Sequence, residues 1–135
     1  MNENYFRVIF IIVENIIDFP KPFSIITAYN PMDVSLKKSE NQERNERLKV
    51  DLNNAQYFYK PIIGSSPDYS HQELSFTIKS TKKEAIQLGN KFEQRAIFWV
   101  TSKKLLVIDC DDQKEYDLGS FEKRIRNLLP DDLSE

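Results

Sequence analysis

Six polar side chains in this sequence have the chemistry to bind a small polar or anionic molecule. They are Thr27, Asn30, Asn41, Arg44, Glu73 and Gln94. Arginine offers a fork of donors to an anion, and amides and hydroxyls can orient a bound group. Glu73 is also a weak candidate for a general acid or base, a role that requires partial burial to tune its pKa. No other residue is a candidate for catalysis.

Each candidate also has a simpler structural interpretation. Asn30-Pro31 is typical of a strand exit, because asparagine tolerates turn geometry and the residue before proline avoids the helical region. Asn41 and Arg44 lie one turn apart near the start of a predicted helix. They could form a solvated helix face, or they could hold an anion where free backbone N–H groups and the helix dipole favour negative charge.

The residues available for metal or cofactor chemistry are few. Asp68, His71 and Glu73 are close in sequence, but His71 is the single histidine and zinc sites usually require more nitrogen or sulfur ligands. We therefore predict no metal site and no cofactor. With three glycines, the chain also lacks a phosphate-cradling loop, and no Ser-His-Asp or Cys-His arrangement is present.

Composition limits the class of protein. The chain has 135 residues, a net charge of −2 and 40% hydrophobic residues, which indicates a folded domain without broad nucleic-acid binding. The single cysteine, Cys110, excludes an intramolecular disulfide and favours a reducing cytoplasm. Its carboxylate neighbours predict a structural thiol. The apolar run "VIFIIV" is too short to span a bilayer and lacks a signal-peptide cleavage site, so we predict a cytoplasmic protein without membrane contact.

Apolar periodicity and turn residues predict the elements of secondary structure. Residues 5–13 favour a strand over a helix because β-branched residues lose side-chain freedom in a helix. Capping boxes are predicted at Ser39 with Gln42 and at Thr81 with Glu84. The remaining elements are strand 24–29, helix 40–54, strands 56–63 and 72–79, helix 82–93, strand 95–101, a hairpin strand in "LLVIDC" and a short terminal helix in "SFEKRIRNLL".

The order of these elements predicts an α+β fold. Residues 1–135 form a single domain with its core at 23–110 and a mobile acidic tail at 130–135. The middle elements follow the βαββαβ order of ferredoxin-like folds, with a mostly antiparallel sheet, an extra N-terminal strand and a C-terminal hairpin strand. This topology brings one end of each core strand to the same edge of the sheet. The six polar residues are therefore expected to cluster there, with Arg44 near Glu73.

The same stretches carry a resemblance to a known family. "ITAYNP", "SENQERN", "PIIGSSPD", "HQELSF" and "LGNKFEQRAIFW" together resemble an uncharacterised bacterial family, a domain of unknown function. The resemblance runs from Phe23 to Val100. Its matching polar positions are Thr27, Asn30, Pro31, Asn41, Arg44, Gly64, Glu73 and Gln94. It implies no activity, because none is established for the family.

Two functions from different classes remain open from the sequence. The first is a polar edge pocket for a small anionic or amide-bearing ligand, in which Arg44 pairs with the anion. The alternative is a non-catalytic module that binds a protein partner through the charged first helix or a sheet edge. Depth distinguishes them: a concave site favours the pocket, and a flat edge whose side chains bond to one another favours the module.

Overall fold

The computed structural model describes residues 1–16 and 18–127. Within them, two helices and one eight-stranded sheet form a mixed α+β domain. The helices are α1 (Lys38–Asn54) and α2 (Lys82–Lys91). The strands are β1 (Ile9–Ile12), β2 (Phe23–Ile26), β3 (Tyr59–Ser65), β4 (Gln72–Ile78), β5 (Ala96–Val100), β6 (Leu105–Asp109), β7 (Glu115–Asp117) and β8 (Ile125–Asn127).

The sheet has the order β7-β6-β5-β2-β4-β3-β1-β8. All neighbouring strands are antiparallel except β1 and β8, which are parallel. The predicted hairpin of β5 and β6 is present. Pro61 lies in β3 outside the stretch that pairs with β1, so its missing N–H does not interrupt that ladder.

Alternating side chains of the sheet enter two separate cores. Ile97 and Trp99 of β5 face the helices, where Leu48 and Leu52 of α1 and Ala85 of α2 join them. Both helices therefore cover the same face of the sheet. The other face holds Phe10, Phe23, Ile25, Ile62, Val100, Leu105 and Phe121. The prediction that "AIFWV" is covered on both faces is confirmed, and β5 is a central strand.

The second core exists because the sheet curls. Phe10 of β1 meets Phe98 of β5 edge-to-face at 5.2 Å between ring centroids, although three strands lie between β1 and β5 in the sheet. The helix face and the apolar strand predict that Phe92, Phe98 and Trp99 are largely buried. Phe92 and Trp99 are buried, whereas Phe98 is half-buried. A guanidinium group joins the two ends of the curl: Arg124 donates to the carbonyls of Phe6, Val8 and Leu118.

The ends of the chain differ from the sequence-based prediction. The strand predicted for 5–13 is a 3₁₀ turn at Glu3–Phe6 followed by the shorter β1, because Asn2 accepts the Asn4 N–H and begins the turn. The predicted terminal helix is wrong in its described part, which holds a 3₁₀ turn (Glu122–Arg124) and β8. Pairing with β8 covers the otherwise open edge of the apolar β1. The tail at 130–135 lies outside the described residues.

One helix start was predicted correctly and the other was not. At α2, Glu84 N–H donates to Thr81 Oγ1 and Thr81 N–H donates to Glu84 Oε1, so the capping box is confirmed. At α1, the cap is Lys37 rather than Ser39, and Glu40 Oε1 accepts the Lys37 N–H. No helix of the described residues is long and apolar enough to cross a membrane.

Gly89 of α2 provides a test of the packing between this helix and the sheet. A Cβ atom at this position would lie 2.7 Å from Cys110 Sγ and 2.8 Å from Ile97 Cγ2. Gly89→Ala should therefore destabilise the protein by about 1–3 kcal/mol through overpacking, despite the higher helix propensity of alanine. Urea denaturation measures the loss, with exposed Lys83→Ala as the control. Adding Cys110→Ala should restore part of the stability, and strictly additive effects would contradict this packing.

Candidate functional site

The candidate site begins where β2 ends and the chain leaves the sheet. Side chains satisfy the backbone of the next three residues, since the sheet no longer does. Ala28 N–H donates to Asn45 Oδ1 (2.9 Å), and Tyr29 N–H donates to Thr27 Oγ1 (3.1 Å). Asn30 N–H donates to Asn41 Oδ1 (2.8 Å). Thr27 donates its own hydroxyl proton to the Leu74 carbonyl of β4 (2.7 Å), which ties this segment to the next strand.

Arg44 of α1 donates to main-chain carbonyls of the same edge. Its Nε donates to Ala28 O (2.6 Å), and its Nη2 donates to Phe92 O (2.5 Å). The guanidinium is largely buried, with 13% of the side chain exposed, and its ion pair is with Glu93 at 3.5 Å. The expected neighbour Glu73 is not its partner. The reason is geometric: Arg44 is turned toward the C-terminus of α2, whereas Glu73 lies at the start of β4.

Gln94 has the same kind of role. Its Nε2 donates to Tyr29 O (3.0 Å) and to Phe92 O (3.1 Å), and the residue is buried. Phe92 O thus receives donors from both Gln94 and Arg44. The loop after β2 and the chain after α2 are therefore joined by side chains that donate to main-chain carbonyls.

Asn30 and Asn41 form the centre of the group. Asn41 Nδ2 donates to Asn30 Oδ1 (2.9 Å), which also accepts the Leu36 N–H (3.0 Å). Asn30 Nδ2 then points to Glu73 Oε2 at 3.2 Å. Asn30 has φ 47°, in the left-handed region that asparagine tolerates better than most residues. All six predicted residues thus lie at one edge, but most of their polar atoms bond to the protein itself.

Glu73 is partly open to solvent. Its side chain is 25% exposed, and its Oε2 lies 2.7 Å from His71 Nε2. Asp68 does not join this pair. It accepts the hydroxyls of Ser66 and Ser70 and the Ser70 N–H, which hold its pKa at about 2. Within the described residues, no group of three potential ligands is arranged to hold a metal ion.

Sequence reasoning missed several residues of this edge. Asn45 is buried and bridges Ala28 N–H to the Leu74 carbonyl. Its signal was its spacing, because Asn41, Asn45, Leu48 and Leu52 form one buried stripe on α1. Tyr5 was also missed, and no local pattern pointed to it.

Tyr5 anchors the N-terminal segment to the loop after β2. Its hydroxyl donates to Asp33 Oδ1 (2.7 Å), and Arg95 Nε donates to Asp33 Oδ2 (2.6 Å). Burial raises the pKa of Tyr5, and its hydrogen bond to Asp33 raises that pKa further. The hydrogen bond and charge of Asp33 also raise the pKa of Arg95. Asp33 is therefore held from two other segments of the chain.

The loop held in this way has an unusual backbone. Three of its residues, Asn30, Met32 and Asp33, have positive φ, as does Glu93 in the chain opposite. Met32 N–H donates to Glu93 O at 2.7 Å. Met32 and Val34 are nonetheless exposed, at 47% and 58%. The network therefore fixes a strained loop whose apolar side chains point to solvent.

Two surface hollows lie away from this edge. One of about 450 Å³ lies between the helices, beside Asp51, Tyr57, Glu84 and Lys91. The other, of about 410 Å³, lies beside Pro22, Lys79 and Trp99. None of the six predicted residues lines either hollow.

The protein is an α+β domain in which polar side chains at one end of the sheet bond to the main chain and to one another. Residues 26–97, just over half of the chain, match the family described as "Protein of unknown function (DUF3293)". The chain belongs to the DUF3293 family, which confirms the resemblance drawn from the motifs. No curated protein and no solved structure matches it.

Arg44 tests whether the network stabilises the fold. Arg44→Ala leaves the carbonyls of Ala28 and Phe92 without these donors, so it should lower the free energy of unfolding by about 3 kcal/mol. Arg44→Lys should also destabilise, since an ammonium cannot reproduce the fork. Urea denaturation measures both. Arg47→Ala, an exposed change on the same helix, should stay within about 0.5 kcal/mol. Equal stability of the Arg44 and Arg47 variants would contradict this role.

Cys110 provides a second test, because its burial raises its pKa to about 12 and the charge of Asp109 adds to the effect. A thiol with this pKa is protonated at about pH 8 and reacts slowly. A thiol-reactive chromogenic disulfide should therefore label Cys110 slowly in native protein and completely in denaturant. Rapid labelling of the native protein would show an exposed or activated thiol instead.

Proposed function

We propose that this protein is a non-catalytic protein-interaction module that binds its partner through the end of the sheet described above. We define the edge surface as Tyr29, Met32, Val34, Tyr69, His71 and Glu73. One observation carries the proposal: the polar network is used internally, and it holds a strained loop that exposes Met32 and Val34. Rigid loops on a scaffold are common recognition elements because little ordering entropy is lost on binding.

The other surfaces considered for a partner fit less well. The outer strands β7 and β8 have three residues each, and short edge strands disfavour strand addition. The exposed face of α1 carries mixed charges, such as Glu46 beside Lys49, which is typical of a solvated helix. Val50 is its exposed large apolar residue. The edge surface combines exposed apolar and aromatic residues with a preorganised carboxylate.

A pocket for a small anionic or amide-bearing ligand is the alternative proposal. It would use Thr27, Asn30, Asn41, Arg44, Glu73 and Gln94. The geometry supports it less, because Arg44 directs donors to two carbonyls and to Glu93 rather than to solvent. A small anion would have to displace these contacts.

We extend the proposal to fold type and location. The strand order β5-β2-β4-β3, with antiparallel neighbours and both helices on one face, supports a ferredoxin-like core within the larger sheet. The lone buried cysteine supports a cytoplasmic location, where thiols stay reduced. The bacterial source is carried by the family resemblance.

Site-specific photocross-linking tests the interaction directly. A benzoyl-phenylalanine replaces Val34 in the full chain, and a second protein carries it at Val50 on α1 as the control. In cells that encode the protein, position 34 should give one adduct with a different protein, and excess unmodified protein should compete it away. Position 50 should not give this adduct. Equal adducts at both positions, an adduct with a second copy alone, or no adduct would contradict the proposal.

A further inference from the structure

The chemistry of the edge surface also defines the kind of group that it recognises. This inference rests on the interaction function proposed above and on the hydrogen bonding of the Glu73 carboxylate. Two side chains contact Glu73 through the same oxygen, since Asn30 Nδ2 and His71 Nε2 each lie within hydrogen-bond distance of Oε2. Within residues 1–16 and 18–127, Oε1 makes no hydrogen bond to the protein. It is a free acceptor on a side chain that is 25% exposed.

The position of this carboxylate is set before any partner binds. Asn30 Oδ1 accepts N–H groups from Leu36 and Asn41, so the Asn30 amide can present only its NH₂ group to Glu73. Asn30 therefore acts as a fixed donor that holds Glu73 in one orientation. A preorganised group loses little entropy on binding.

Charge complementarity indicates what this oxygen binds. The neighbouring carboxylates of the network have cationic partners: Asp33 pairs with Arg95, and Glu93 pairs with Arg44. Glu73 pairs with an amide and an imidazole, and no lysine or arginine of the described chain lies within ion-pair distance of it. Its charge is therefore open to neutralisation by a basic group from outside.

The hydrogen bonding of Glu73 also distinguishes between lysine and arginine as the basic side chain of the partner. Arginine prefers a carboxylate with both oxygens open, because its fork makes two parallel hydrogen bonds. Glu73 offers one open oxygen, which suits the compact ammonium group of lysine. Burial raises the pKa of the neighbouring Tyr29, and the charge of Glu73 raises it further. The Tyr29 hydroxyl also has no hydrogen-bond partner in the described part of the chain.

We propose that Glu73 Oε1 binds a lysine ammonium group of the partner protein, while Met32 and Val34 contact apolar residues beside that lysine. Asn30 is a positioning residue, and the partner segment is basic and apolar in composition. No bond is made or broken in this recognition.

Short peptides test the assignment while the partner protein is still unidentified. The probes are the acetylated, amidated tripeptides Leu-Lys-Leu, Leu-Arg-Leu and Leu-Gln-Leu, titrated into ¹⁵N-labelled protein. Leu-Lys-Leu should shift the amide signals of residues 29–34 and 71–73 in a saturable way. It should bind more tightly than the arginine peptide and about tenfold more tightly than the glutamine peptide. Equal binding of the lysine and glutamine peptides, or tighter binding of the arginine peptide, would overturn the assignment.

Matched variants test whether Glu73 is the residue that binds the lysine peptide. Glu73→Gln should weaken Leu-Lys-Leu binding about tenfold, whereas Glu43→Gln, a change of the same type on the exposed face of α1, should leave it unchanged. If Glu73→Gln shifts the amide signals of the loop in the absence of peptide, the salt dependence of wild-type binding is measured in place of that variant. Affinity should then fall as salt rises from about 50 to about 500 mM, and salt-independent binding would contradict an ion pair.

The outcomes separate this inference from the function on which it rests. A specific adduct at position 34 without lysine preference leaves the interaction module in place and removes Glu73 as its recognition residue. If the peptides bind with lysine selectivity but no cellular adduct forms, then the Glu73 carboxylate recognises basic groups and the proposed partner protein is wrong.

Discussion

The end of β2 imposes the constraint on which this edge of the molecule depends. The chain from Ala28 to Asn30 leaves the sheet while it is still covered by α1 and the turn after α2. A buried backbone N–H or C=O without a partner costs about 1–3 kcal/mol, so each one must find a bond. Five side chains provide them: Thr27, Asn41, Arg44, Asn45 and Gln94. Together they provide the hydrogen bonds that a neighbouring strand would otherwise provide at this point.

This substitution explains the types and the spacing of the motif residues. Asn41, Arg44 and Asn45 lie three and four positions apart, so they project from one side of α1 toward the departing strand. Asparagine donates and accepts, which suits contacts to an N–H on one side and a carbonyl on the other. Arginine only donates, and it contacts two carbonyls. The pattern that resembled a ligand site is thus also what a buried strand exit requires.

The same network stabilises backbone geometry that would otherwise be unfavourable. Residues with positive φ cost of the order of 1–3 kcal/mol when they lie in sparsely populated regions, and they persist where surrounding contacts determine them. Asn30, Met32 and Asp33 are held by Asn41, by the Glu93 carbonyl and by the pair of Tyr5 and Arg95, respectively. The strained loop is therefore a consequence of contacts from three other segments of the chain: the N-terminal turn, α1 and the chain after α2.

The sequence was sufficient for the two helices and the central strands, and for the meeting of the six polar residues at one edge. Alternation identified β4, and the capping box located the start of α2, because both signals are local. The strands β7 and β8 are three residues long, too short for periodicity to reveal them. The curl of the sheet and the contact of Tyr5 with Asp33 depend on distant pairings. The Arg44–Glu73 pair was expected from proximity alone, whereas the actual partners were decided by which carbonyls lacked donors.

The two most buried arginine contacts in the described chain use one principle. Arg44 donates to carbonyls where β2 leaves the sheet, and Arg124 donates to the carbonyls of Phe6, Val8 and Leu118 where the sheet curls on itself. Burial lowers the pKa of Arg124, as expected when a cation is taken from water and held mainly by neutral acceptors. In both places a guanidinium group provides the N–H donors that a neighbouring strand would have supplied. At the edge surface, the donors of Arg44 are directed to the carbonyls of Ala28 and Phe92, and Glu73 is contacted by Asn30 and His71 instead. The need of the departing backbone for donors therefore decides which side chain pairs with Arg44.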